Sequence, residues 1–157
     1  MMRQISLACL PHQRWACDLD GVLAVKPPLP DKKWTNMDGA ERSNYRVATV
    51  AWYGIAEQLG APDKQPLIVL SARKETPEIR RVTEEWLASI GMGSVALHLL
   101  NVGRTIPNVA KFKVGVLEEH GIDAFVEDNM AVLKAMARLK PACHLYFWDT
   151  NSPVTPT

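Results

Sequence analysis

The sequence predicts an α/β domain, a single Rossmann-like unit with five parallel strands flanked by helices. Short apolar runs rich in branched side chains alternate with segments whose apolar residues recur at helical spacing. The chain has 157 residues, 47% of them hydrophobic, which suffices for one core and falls short of two. Acids, a serine and an arginine follow several of the apolar runs. In parallel sheets ligands bind beyond the carboxyl ends of the strands, so residues at those positions are where chemistry is expected.

Arg14-Trp-Ala-Cys-Asp-Leu19 reads as the first buried strand, ending in a turn at Asp20-Gly21. Pro27, Pro28 and Pro30 then exclude regular structure, so an exposed flap is expected near Lys26–Trp34. From Glu41 to Leu59 the residues Tyr45, Ala48, Trp52, Ile55, Ala56 and Leu59 trace a helical stripe, with Gly60 as its stop. Leu67-Ile-Val-Leu70 is a fully apolar run suited to a central parallel strand. Thr76 as N-cap and Pro77 in the first turn start the next helix, which ends at Gly91. Val95–Leu100 is a third strand, Val114–His120 a helix, Asp123–Val126 a fourth strand, Met130–Leu139 a helix and Cys143–Trp148 a fifth strand. Residues 1–149 are thus expected to form one domain, with 22–66 as an insert of flap plus one helix and 150–157 as a loose tail.

Composition excludes some classes. The formal charge is +1, without the cationic excess of a strongly basic nucleic-acid binder. Cys9, Cys17 and Cys143 are odd in number and lack a CxxC spacing, which argues against a disulfide framework or a zinc site. Free thiols suit a reducing compartment, and no apolar run reaches the roughly 18–20 residues of a membrane span, so a cytoplasmic location and no membrane partner are expected.

Asp18 and Asp20 sit two residues apart at the first strand's end. Carboxylates placed together repel unless a cation lies between them. Mg²⁺ prefers a few protein oxygens plus water and phosphate. One carboxylate can then attack phosphorus while the other serves as acid and base. A calcium loop counted from Asp18 would need an oxygen ligand at its fifth position and glycine at its sixth, where Val22 and Leu23 stand. The remaining alternative is a plain Asp-Gly turn. Ser71 follows the second core strand, as a phosphate-binding hydroxyl or an ordinary turn residue. Arg73 is either a phosphate clamp or a solvated surface residue. Lys111 and Lys113 lie at the expected start of a helix, where a cation is unfavourable unless it faces an anion. Glu127-Asp128-Asn129 follows the fourth strand and suits cation binding, or else simply caps a helix.

In this order the residues resemble the haloacid dehalogenase superfamily of phosphohydrolases. Its DxDG motif reads Asp18-Leu-Asp20-Gly21, its strand ending in serine reads Leu67-Ile-Val-Leu-Ser71, its lysine is Lys113 or Lys111, and its acid pair reads Glu127-Asp128. The family often has Asp-Asp in that last place. Ser71-Ala-Arg73 followed by Thr83-Glu-Glu-Trp-Leu87 is similar to the phosphatase half of polynucleotide kinase-phosphatases, and the short insert also resembles small nucleotidase-like members. The resemblance implies catalytic Asp18, Asp20, Ser71 and Lys113. It implies Mg²⁺ at Asp18, Asp20 (through its backbone carbonyl) and Asp128, with Glu127 direct or through water. It further implies a phosphorylated substrate, a nucleotide or a nucleic-acid 3′ end, with Arg73, Lys111, Lys33 and Trp34 as candidate contacts. Lys32, Lys33 and Trp34 would supply charge and a stacking surface. The alternatives are a solvated loop with Trp34 folded onto the core, a phosphatase of small non-nucleotide metabolites, and a silent binding module of the same fold.

Overall fold

The computed structural model describes residues 3–5, 14–148 and 152–154. The strands are β1 (Arg3–Ile5), β2 (Trp15–Cys17), β3 (Gly60–Pro62), β4 (Ile68–Lys74), β5 (Ala96–Leu100), β6 (Ala124–Glu127), β7 (His144–Phe147) and β8 (Ser152–Val154). The helices are α1 (Gly39–Ile55), α2 (Pro77–Ser89), α3 (Ile106–Glu119) and α4 (Met130–Arg138). The main sheet runs in the order β5-β4-β2-β6-β7-β8. Its first five strands are parallel, and β8 is antiparallel to β7. β1 and β3 form a separate parallel pair. The expected five-stranded parallel sheet flanked by helices is therefore present.

Each sheet face carries its own core. One gathers Leu19, Leu23, Val69, Trp86 and Leu87, with Trp52 of α1 packed against it. The other gathers Leu70, Val109, Leu117, Phe125, Leu133 and Met136 under α3 and α4. Burying each such side chain contributes roughly 1.5–3 kcal/mol before conformational entropy is counted. β2 is buried at every residue because it lies mid-sheet with helices on both sides. This places its end, where Asp18 stands, at the centre of the molecule. No described helix is long and apolar enough to cross a membrane.

Several boundaries differ from the sequence-based expectation. α1 ends at Ile55, where Ala56 turns to ψ 140. Gly60 does not stop the helix but starts β3, where a Cβ would lie 2.3 Å from the Val22 carbonyl oxygen. Ile55, placed on the inward stripe by spacing, is exposed. α3 starts at Ile106 rather than Val114, capped by Thr105 with Pro107 in the first turn. Thr105-Ile-Pro107 carries much the same start signal that Thr76-Pro77 gave for α2. Lys111 and Lys113 consequently lie well inside the helix, and the argument from an unfavourable helix start does not apply to them. Within the tail expected to be loose, Ser152–Val154 adds an edge strand to β7, and the other residues of 149–157 lie outside the described ones. The flap is as expected in its proline stretch, since 25–30 carry no regular structure.

Candidate active site

The ends of β2, β4 and β6 converge on a cleft of about 440 Å³. Asp18 leaves β2 with its N–H donating to the Val126 carbonyl at 2.9 Å, which ties the Asp18–Gly21 turn to the strand that carries Glu127. The chain then turns tightly: the Leu19 carbonyl accepts from the N–H groups of Leu23 and Ala24 at 2.9 and 3.0 Å. Gly21 sits at φ +84 against Asp128, and a Cβ there would fall 2.1 Å from Asp128 Oδ2. The glycine of the turn is thus needed both for its conformation and for close approach.

Lys113 reaches from α3 into the base of the cleft and is buried. Its Nζ lies 2.5 Å from Glu127 Oε2 and 3.2 Å from Asp18 Oδ1. Lys111, the alternative lysine, is exposed and lies away from the cleft, in a separate surface hollow with His98 and Glu119. Asp18, Glu127 and Asp128 offer ligand atoms that all lie within 4.8 Å of one another. The carboxylate of Asp20 stands outside this group. Ser71 lines the cleft and is buried, its Oγ accepting from the Arg73 N–H at 3.1 Å.

The electrostatics follow from three carboxylates around one buried ammonium. Burial pushes the Asp18 carboxyl up, but Lys113 and several hydrogen bonds outweigh it and hold the group below its usual value. Burial and then the neighbouring Asp18 charge push Glu127 well above the ordinary glutamate range. Asp128 is raised for the same two reasons, partly offset by Lys26. Lys113 is raised despite its burial, because both carboxylates favour its charged form. Three acids thus share the base of the cleft with Lys113, Lys26 pairs with Asp128 from its rim, and the donors are all hard oxygens. Such a set could hold a hard divalent cation, whose charge would relieve the repulsion among the carboxylates.

Arg73 is not the solvated surface residue that is one reading of its sequence position. It is buried, and its Nε and Nη2 donate to the two oxygens of Asp20 at 2.8 and 2.7 Å. Its Nη1 donates to Thr83 Oγ1 at 3.0 Å, and the guanidinium lies 3.6 Å over the Tyr53 ring. Three of its five N–H donors are engaged within the protein, and in this arrangement it positions Asp20. Arg104, in the loop after β5, lines the cleft and is exposed. Lys26 lines it too and pairs with Asp128. The sequence assigns neither a site role: Lys26 is an isolated basic residue in a loop, and Arg104 is marked only by its place in the polar stretch after β5, where ligands are expected.

Lys33 and Trp34 do not line this cleft. Trp34 is half-exposed, stacks edge-on with Tyr45 at 6.4 Å, and carries the guanidinium groups of Arg42 and Arg46 at 5.3 and 4.8 Å. Lys32 pairs with Glu41. The cleft does continue under residues 27–32 into a groove of about 550 Å³ that includes Leu29, Tyr45 and Trp52. No protein-family model matches the chain, and no curated protein matches it either.

Proposed function

We propose that this protein is a Mg²⁺-dependent phosphomonoester hydrolase of the haloacid dehalogenase type, with Asp18 as nucleophile. The observation that carries this reading is the convergence of Asp18, Ser71, Lys113 and the Glu127-Asp128 pair on one cleft, with Asp20 held beside them. Asp18, Asp128 and Glu127 would hold the ion. When bound, it supplies positive charge that lets an anionic nucleophile approach an anionic phosphate.

A carboxylate oxygen of Asp18 attacks phosphorus, forming an acyl phosphate as the ester P–O bond breaks. Asp20 gives a proton to the leaving oxygen. It then takes one from the water that attacks the aspartyl-phosphate, releasing phosphate and restoring Asp18. In the present arrangement Arg73 engages both oxygens of Asp20, so Asp20 must free one of them to carry that proton. The Ser71 hydroxyl and the Lys113 ammonium would hold non-bridging oxygens, whose charge the site must stabilise in the transition state. Lys113 also keeps Asp18 ionised, as a nucleophile requires.

The substrate class we propose is a nucleotide or a nucleic-acid 3′ end. The apolar and aromatic groove beyond the cleft supports a bulky leaving group, and among the described residues it is lined chiefly by the proline flap and α1. The test is phosphate release from a 3′-phosphorylated oligonucleotide and from a nucleoside monophosphate, with Mg²⁺ and with chelator. Chelator-sensitive release that is lost in Asp18→Asn, with the fold retained by circular dichroism, is expected. Turnover unchanged by that substitution would refute the mechanism.

A further inference from the structure

Lys26 stands just before the prolines of the flap, with its Nζ 2.6 Å from Asp128 Oδ2. Asp128 is one of the three acids whose oxygens cluster as a potential cation site. The approach depends on Gly21, because a Cβ there would fall 2.6 Å from Lys26 Cε as well as on Asp128. An ammonium and a divalent cation cannot share that oxygen at close range without strong repulsion. The other two ion-paired cations of the cleft are locked in place: the Arg73 and Lys113 side chains are 1% and 2% exposed. The Lys26 side chain is 55% exposed, on a flexible four-carbon stem. Pro27, Pro28 and Pro30 stiffen the backbone that follows it, so its side chain can swing while the flap keeps its course.

We propose that Lys26 exchanges partners: it holds Asp128 while no divalent cation is bound, and turns to a phosphoryl oxygen once a cation takes Asp128. The swing moves positive charge from a carboxylate to the incoming phosphate without calling on a further basic side chain. Its second half rests on the phosphatase reading of the cleft, and its first half does not.

Calorimetric titration tests both halves through binding alone, apart from turnover. Mg²⁺ is titrated into the wild type, Lys26→Met and Lys26→Arg, and inorganic phosphate is then titrated at saturating Mg²⁺. Lys26→Met should bind Mg²⁺ about two- to fivefold more tightly, the range set by losing a half-exposed ion-pair competitor. It should bind phosphate about tenfold more weakly, for want of one charge-assisted hydrogen bond. Lys26→Arg should keep phosphate binding near wild type. A residue that only braces the flap would weaken both ligands together. Mg²⁺ binding by Lys26→Met that is equal to or weaker than wild type overturns the exchange at Asp128. Phosphate affinity unchanged in Lys26→Met overturns the turn toward phosphate. Opposite shifts in a chain that hydrolyses no ester would uphold the exchange and sink the phosphatase reading alone.

Discussion

Replacing Arg73 by methionine should destabilise the protein by about 3 kcal/mol. Breaking a buried ion pair by removing one partner costs about 3–5 kcal/mol, because the other charge is left without compensation. Here the Asp20 side chain is 21% exposed, so water takes over part of the load and the low end applies. Thr83 Oγ1 loses a donor in a fully buried position, worth about 1 kcal/mol, while the methionine stem still covers the Tyr53 ring. For a chain of this size about 3 kcal/mol corresponds to a fall in Tm of about 6–12 °C. Urea unfolding should show a lower midpoint with an unchanged slope. Arg73→Lys keeps the charge but not the fork, and should fall between the two. In the phosphatase assay Arg73→Met should lose about 10²-fold in kcat even at temperatures where it is fully folded, since Asp20 is no longer oriented. A loss below about 1 kcal/mol would refute the claim that the Arg73–Asp20 pair organises this side of the cleft.

Three further outcomes are expected. Lys113→Met should abolish turnover and cost several kcal/mol in a urea melt, because it leaves Asp18 and Glu127 facing each other in a buried site, whereas Lys111→Met should do neither. Gly21→Ala should cost more than about 1 kcal/mol and weaken Mg²⁺ binding in calorimetry, as its Cβ would overlap Asp128 at a φ of +84. His98 is held below its usual value of 6.5 by burial and by the nearby His120 and Arg80, against the weaker pull of Glu119 and Glu75. The unfolded chain therefore takes up that proton more readily than the folded one. Stability should hold above about pH 7 and decline as pH falls through 6.5, and His98→Gln should remove that part of the decline in melts across pH 5–8.

The fold was legible because its signals are local. Branched apolar runs and helical stripes alternate along the chain, and a parallel sheet with helices on both faces is the arrangement that buries them all. The errors also have local causes. The sequence pattern starts α3 eight residues late, at Val114, because Lys111 and Lys113 look like a polar helix start, although Thr105-Ile-Pro107 marks the true one. Spacing puts Ile55 on the inward stripe, although α1 faces the core chiefly through Trp52 and Tyr53, with Ala56 buried just beyond its end. The strand at Ser152–Val154 contains a proline and becomes a strand only by pairing with β7 at the sheet edge.

By itself the sequence determined which residue types stand at two of the strand ends: an acid pair with glycine after β2 and a second acid pair at the end of β6; Ser71, expected to follow its strand, lies within β4, which runs on to Lys74. The sequence could not assign partners, because a pairing between residues 53 positions apart, as between Asp20 and Arg73, leaves no periodic trace. Tertiary structure alone decided that Lys113 and not Lys111 faces the acids, since helical phase within α3 carries one into the cleft and the other to the surface. Packing against Tyr53 and Thr83 likewise turned Arg73 inward onto Asp20. Lys26 reaches Asp128 for a spatial reason as well: Gly21 leaves that approach open, and the chain order of these three residues does not show that they meet.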